Sequence, residues 1–401
     1  MYSMLKNITV IEASSFVASP TAGLYLAQFG AEVIRVDQIG GGPDYKRWPL
    51  SDGGDSLYWE NLNRAKKSVA LDLSTNQGRA LLQQLVAKTG ILLTNFPVNS
   101  FLSHEKLCAL RPDLITVRIM GQADGTSALD YTVNSAIGIP FMTGPESLGD
   151  QPVNHVLAAW DLLTGGYAAF ALLAALRHRD ATGEGQEVRI PLQDVATASI
   201  ANMGMLAEVI TSGTNRPRLG NAVYGAFGRD FATADGKRVM IMAITPKQWA
   251  ALVSVLGISA EIAAIEAQHS VSFAVDEGLR FDHREALFAL VENRVRSWAY
   301  ADLDAAFAAA GCCYGPYQTM AEAAVDPQLV TKNAMFNETT NPSGLTYPAA
   351  GAMSTIPQFE RAPAAPAPHL GADSDTVLSN ILGLSSSDIA ALKSQELVYQ
   401  A

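Results

Sequence analysis

Cysteine is scarce in this 401-residue chain, with only Cys108, Cys312 and Cys313 present. An odd number without CxxC spacing gives no disulfide framework, and a reducing cytoplasm is the simplest setting for such thiols. Charge is thin too: Asp, Glu, Lys and Arg make up 17% of the chain, with 28 basic residues against 39 acidic ones and a net charge of −11. This balance argues against nucleic acid as the main partner, because phosphate contacts need clustered Lys and Arg. Any anionic ligand has to be met by local basic residues and backbone amides. Long apolar runs are missing as well. The N-terminal MYSMLKNITVIEASS lacks the layout of a signal peptide. The apolar run from Leu162 to Leu176 is shorter than the roughly 20 residues a bilayer span requires. The expectation is a soluble cytoplasmic protein with no membrane partner.

Familiar catalytic signatures are also absent. The turn after the first strand-like run, ASSFVASPTAG, carries no GxGxxG, so the dinucleotide fingerprint is missing. Asp37 ends the next strand where a ribose-binding acid would stand, but without the glycines it reads as a surface Asp at a strand end. No Walker A motif occurs, and the glycines at 40–42 read as a flexible loop. None of the six histidines falls in HExxH or in a Cys/His cluster, so no metal is expected. GxSxG is missing, which disfavours an ordinary serine hydrolase.

What is present is apolar and periodic. Hydrophobic residues make up 48% of the chain, enough for a large core and two domains. ITVIEAS, EVIRVD, SVALDL, ILLTNF and LITVRIMG read as buried strands, with helices from about Pro20 to Gln28 and over NQGRALLQQLVAKTG, the latter capped by Ser74 or Thr75. Ser103 opens a short helix. Repeated β-α-β units predict an α/β fold, a parallel sheet with helices on both faces. A long helix follows Asp161 to near Arg179, QEVRIPL reads as a strand, and QDVATASIANMGMLAEVITSG as a helix. DFATADGKRVMIMAI predicts a hairpin turning at Asp235-Gly236, and helices near Pro246–Leu256 and Arg284–Ala310 complete a smaller α+β domain. The expected layout is a large domain over 1–213, a small domain over 229–325, and a C-terminal segment over 335–401 that returns to the large domain, reached through the connector RAPAAPAPHLG.

Within HVLAAWDLLTGGYAAFALLAALRHRD, Asp161 heads the apolar run, with no cationic residue between His155 and Arg177. An Asp before a helical run satisfies orphan amides as an N-cap. The same position suits a lightly hydrated carboxylate that attacks a thioester or anhydride and carries a covalent acyl group. The two readings are compatible, since a helix N-terminus stabilises a carboxylate and a nearby oxyanion alike. Composition does not decide between them. His155 reads as a satisfied structural histidine, and Cys312-Cys313 as a packed strand element.

Several ordered segments together resemble family III CoA-transferases over nearly the whole chain: LKNITVIEASSFVASPTAGLYLAQFGAEVIRVD, NLNRAKKSVALDLSTNQGRALLQQLV, LLTNFP, ALRHRDATGEGQEVRIPLQD and HLGADSDTVL. Within the family, IGGGPDYKRWP, DYTVNSAIGIPFMTGP, VNHVLAAWDLLTG and RPRLGNAVYGAFGRDF are most similar to the branch that moves CoA between the C1 and C4 carboxyls of mesaconate. The resemblance implies a Rossmann-like large domain built from both chain ends and a homodimer of two interlocked chains. It implies Asp161 as nucleophile, and CoA contacts at Phe16, Val17, Leu71, Asn95 and Phe96. Gln38 and Ser103 stand where some members, formyl-CoA transferase among them, carry arginines for CoA. Arg35, Lys46, Arg47, Arg64, Lys66 and Lys67 are the nearby basic candidates, Arg35 foremost, with solvated surface charge as the alternative for each. The glycine-run lid of formyl-CoA transferase is replaced by GNAVYGAFG. Racemases of this fold need a histidine ahead of the aspartate, and ALDYTVN has none.

The activity this implies is intramolecular transfer of CoA on a thioester of a branched, unsaturated C5 dicarboxylic acid, with no cofactor beyond the CoA that the substrate carries. Such an enzyme must grip the carboxylate that is not reacting. Arg47, Arg216, Arg218 and Arg229 offer guanidinium forks, and Tyr131 and Tyr224 offer hydroxyls, a structural role remaining open for each. The rival readings are an intermolecular CoA-transferase, using succinyl-CoA or a similar donor, and a CoA-binding protein without chemistry in which Asp161 only caps its helix.

Overall fold

Apolar runs that alternate with amphipathic helices become six parallel strands in the computed structural model, which describes residues 1–401. These are β1 (Thr9–Ala13), β2 (Glu32–Gln38), β3 (Lys67–Leu71), β4 (Ile91–Thr94), β5 (Ile115–Met120) and β6 (Gln186–Pro191). Their order across the sheet is β3-β2-β1-β4-β5-β6. Strands buried on both faces read as unbroken apolar runs, and β4 is buried at all four positions. One face packs on Ala22, Leu26, Leu172 and Leu176, the other on Leu82, Leu85 and Leu378. Strand order reverses at β1, whose neighbours are β2 and β4. The loops leaving the carboxyl ends of β1 and β4 therefore diverge and open a crevice, the usual ligand position in such sheets.

Two helices set the walls of that crevice. Ala18–Gln28 follows β1, and the 24-residue helix Ala159–Thr182 crosses it. A Cβ on Gly165 would lie 2.7 Å from the Ala18 carbonyl oxygen, so the two backbones meet at a distance that only glycine permits. The long helix exceeds the apolar run within it, and by length and hydropathy it qualifies as a bilayer span. One face, with Thr164, Gly165, Ala168, Leu172 and Ala175, is nonetheless buried in the core of its own unit, as a core helix is. Thr75 caps the helix Asn76–Thr89, its hydroxyl accepting from Gly78 N at 3.1 Å. The segment read as one helix after β6 is two, Leu192–Asn202 and Met205–Ser212, bent by 67° where Gly204 takes φ 75°.

The chain divides into two compact units. The first holds Met1–Ile137, His155–Ser212 and Val325–Ala401, and the second holds Gly138–Asn154 and Gly213–Ala324. Gly138–Asn154 thus leaves the large domain into which the sequence placed it. In the second unit, β7 (Phe227–Ala232) and β8 (Arg238–Ala243) form the expected hairpin, with Gly236 at φ 79°, and β9 (Cys313–Pro316) pairs with β8. Cys313 begins that strand but is exposed, and Cys312 is half-buried. In the first unit, β10 (Phe336–Thr340) and β11 (Thr346–Ala350) form a hairpin that the sequence did not reveal. The chain end then returns to the sheet: β12 (Val398–Tyr399) pairs antiparallel with β3, and the Asp373 carboxylate accepts from Ser68 N at 2.9 Å.

Candidate active site

The crevice at the reversal holds a cavity of about 690 Å³ lined by Ser15, Phe16, Val17, Asn95, Phe96 and Asp161. A second cavity of about 520 Å³ shares Phe16, Asn95 and Phe96 and continues past Gln38, Gly42 and Leu73. An extended ligand can follow this path along the carboxyl ends of the strands. Asn95 holds the β1 loop in place: its amide nitrogen donates to Ser15 O at 3.0 Å, and its oxygen accepts from Ser15 N at 3.3 Å. Phe16 has φ 72°, a left-handed backbone that L side chains rarely adopt. Its amide donates to Asp44 Oδ2 at 2.9 Å, and this contact helps hold the strained residue in the cavity wall. Phe96 is fixed through its carbonyl, which accepts from the buried Arg118 guanidinium at 2.6 Å. Arg118, itself paired with Glu187 at 2.8 Å, was not singled out from sequence. Leu71 is fully buried in the core, its carbonyl accepts from the amides of Ile39 and Leu73, and it lines neither cavity.

Asp161 occupies the third position of the long helix and faces the first cavity. It is not the cap. The amides of Trp160 and Asp161 donate to Asp130 Oδ2 at 2.7 and 3.0 Å. Those two amides are therefore unavailable to an oxyanion, against expectation. Asp161 is left with a carboxyl that burial, and then the nearby Asp130 charge, push up to about 7, with Arg47 pulling the other way. Arg47 is thus the cation that the local sequence lacked. It is exposed, and its guanidinium lies over the rings of Phe16 at 5.7 Å and Tyr58 at 5.5 Å. His155 is satisfied, its Nε2 2.6 Å from Asp130 Oδ1. Tyr131 is edge-on to His155, and its hydroxyl donates to Val156 O at 3.3 Å.

The other predicted cations fare differently. Arg35 is 1% exposed and holds Asp37 (2.8 Å), Asp44 (2.9 Å) and Asn63 (3.0 Å), so it is committed to the protein and unavailable to a phosphate. Asp37 is correspondingly buried and is not a surface residue. Lys66 is buried on Glu12 at 2.8 Å, Arg64 is buried on Ala350 O at 3.0 Å, and Lys67 pairs with Glu32. Lys46 is exposed. Gln38 donates to Asp72 at 3.1 Å and accepts from Leu73 N at 2.8 Å while lining the second cavity. In the second unit, Arg218 is buried and donates to the carbonyls of Gly149 (3.1 Å), Pro140 (3.3 Å), Thr143 and Gln151, stapling that loop. Arg229 is tied to Glu292 at 2.9 Å and lies over Phe231 and Phe288. Arg218 is thus committed to the protein, whereas Arg229 is only half-buried beside Glu292. Tyr224 packs on Phe281 with ring centroids 5.1 Å apart, and Arg216 lies 4.0 Å over its ring.

Residues 5–374 match the model of CoA-transferase family III. The chain is 44% identical to 2-methylfumaryl-CoA isomerase of Chloroflexus aurantiacus, covering 99% of this chain and 98% of that protein. It is 32% identical to succinate–glutarate CoA-transferase of Agrobacterium fabrum, over 81% of this chain and 82% of the relative. Among solved structures, a CaiB/BaiF family protein from Brucella suis superposes with a TM-score of 0.76 at 26% identity, covering 95% of this chain and 100% of that one.

Proposed function

This chain belongs to CoA-transferase family III, and on that premise we propose that it moves coenzyme A from the C1 to the C4 carboxyl of 2-methylfumarate (mesaconate) within one bound substrate. The observation that carries this reading is Asp161, a largely dehydrated carboxyl that faces the cavity and forms no ion pair, in a chain similar from end to end to a 2-methylfumaryl-CoA isomerase.

The chemistry needs only a carboxylate and a thiolate exchanging places. Asp161 attacks the C1 thioester carbonyl. The C–S bond breaks, CoA leaves as thiolate, and a mixed anhydride forms. The thiolate attacks the aspartyl carbonyl of that anhydride, freeing the dicarboxylate and leaving CoA as a thioester of Asp161. The dicarboxylate turns, and its C4 carboxylate attacks the aspartyl thioester. The released thiolate then attacks the C4 carbonyl and restores Asp161. No step takes or gives a proton, so no general base is required, in keeping with the engagement of His155 by Asp130. Holding both fragments together replaces a bimolecular encounter with a local one, and the anhydride survives only where water is kept out. Arg47, exposed beside the cavity wall at Phe16, is the guanidinium we assign to the idle carboxylate, a fork that binds carboxylate through two parallel bonds. Phe16, Val17, Asn95 and Phe96 line the path we assign to the CoA arm. The working unit in this reading is a cytoplasmic homodimer.

Transfer between separate acids is the second reading, favoured by the name of the Agrobacterium relative. Incubation with 2-methylfumaryl-CoA and labelled free 2-methylfumarate separates the two. Intramolecular transfer leaves the label out of the CoA pool through many turnovers, whereas label entering at the turnover rate establishes the second reading. A hydroxylamine- or borohydride-trapped adduct on Asp161, found by mass spectrometry, tests the covalent step common to both.

A further inference from the structure

Asp130 begins the short helix Asp130–Ala136 and is 2% exposed. Its two oxygens serve different partners. Oδ2 takes the amides of Trp160 and Asp161, and Oδ1 faces His155 Nε2. Asn134, one turn along the same helix, accepts from the Trp160 indole nitrogen at 3.0 Å. The head of the long helix is thereby held from outside, by side chains of another helix.

We propose that Asp130 is a positioning residue for the nucleophile, a buried carboxylate that holds the head of the helix carrying Asp161 through two backbone amides and sets a second carboxylate beside it. The proposal rests on the reading of Asp161 as the attacking group. Most helix caps leave the first turn to local residues, whereas here the cap is an acid from a different helix, set next to the carboxylate that must react. A neutral cap such as Asn or Ser would satisfy the same amides. Carboxylates placed close together disfavour each other's charge, and the less stable anion is the more basic nucleophile. The groups whose fields reach Asp161 are Asp130 from the short helix and Arg47 from the segment after β2, while Tyr58 lies beneath Arg47. His155, on the chain just before the long helix, fixes the far oxygen of Asp130 and keeps the near one on the amides.

The test is a carboxyl titration followed by carbon-13 NMR of aspartate-labelled protein, with the Asp161 signal identified by its loss in Asp161→Asn. In wild type the midpoint should lie near 7. Asp130→Asn keeps an oxygen for the two amides and removes the charge, so the midpoint should fall by about one pH unit or more. A cap with a purely structural role leaves it in place, and an unmoved midpoint in a folded variant overturns the proposal. If Asp130→Asn does not fold, His155 carries the test. His155→Ala should lower kcat about tenfold at constant KM, while His155→Gln, which still donates to Oδ1, restores it. Equal turnover in wild type and both His155 variants overturns the proposal. The titration uses no substrate. A shifted midpoint in an enzyme inert toward 2-methylfumaryl-CoA therefore removes the substrate assignment alone, and an unshifted one in an active enzyme removes the role of Asp130 alone.

Discussion

Asp161 shows how a single residue is made reactive by what is withheld from it. Its carboxyl accepts neither the helix amides, which Asp130 takes, nor a salt bridge, and Arg47 acts on it only as a nearby charge. Attack requires the ionised form, so the rate should climb about tenfold per pH unit on the acid side and level off near pH 7, as initial rates across a pH series will show. Asp161→Asn should abolish turnover by at least about three orders of magnitude while leaving CoA-thioester binding in place, measured by calorimetry against activity. Stability should move the opposite way. The folded carboxyl titrates near 7 and the unfolded one near 3.8, so between these values the folded state holds the extra proton and loses stability as pH rises. Asn carries no such penalty. The variant should therefore melt higher than wild type at pH 8, with the gain vanishing toward pH 4 and an upper bound on the order of 4 kcal/mol.

Helices place that residue, and glycine decides how closely. Asp161 lies about one turn ahead of Gly165, where the long helix meets the Ala18 carbonyl of the neighbouring helix. Gly165→Ala puts a methyl where backbone already stands, so one helix must shift and carry either Asp161 or the Phe16–Val17 loop with it. We expect a loss of about 1–3 kcal/mol in denaturant titrations and a fall in kcat of about 10- to 100-fold. Gly166→Ala is the internal control: its Cβ would meet only Tyr25, at 3.9 Å, and stability should hold or rise by up to about 1 kcal/mol. What could be read from sequence divides along the same line between local and distant causes. The six parallel strands, the Thr75 cap and the turn at Gly236 are written in local pattern and turn chemistry, and the structure has them all. The helix break at Gly204 was missed because its flanks keep the apolar period of one helix. The cap of the long helix was misassigned because its acid comes from Asp130, on another helix. Arg35 and Lys66 read as basic candidates for CoA, with surface charge as the alternative, because their partners, Glu12, Asp37 and Asp44, are gathered only by the fold. The position of Asp161 was legible, and the reason for its reactivity was not.

At the scale of the whole molecule, the long helix has a second face that the single chain leaves uncovered. Leu163, Tyr167, Phe170 and Leu173 are 46%, 52%, 64% and 40% exposed, and the bent pair after β6 adds Met203 and Ile210 at 71% and 80%. The spacing of Leu163, Tyr167 and Phe170 aligns them along one side of the helix. An exposed apolar stripe of this kind points to a protein–protein contact, and Leu163, Tyr167, Phe170 and Leu173 sit on the same helix as the nucleophile. If a second copy covers it, light scattering should return twice the 42.6 kDa of one chain. Phe170→Asp tests this directly. Position 170 is exposed in the single chain, so an acid there leaves the core untouched and the monomer stable, but it puts an unpaired charge into any interface formed on that face. The variant should run at the mass of one chain with a nearly unchanged far-ultraviolet spectrum. Its activity should become concentration-dependent, because loss of the neighbour frees the outer side of the helix that aims Asp161. A wild-type protein that stays monomeric and fully active at micromolar concentration would assign the stripe to something other than a second copy.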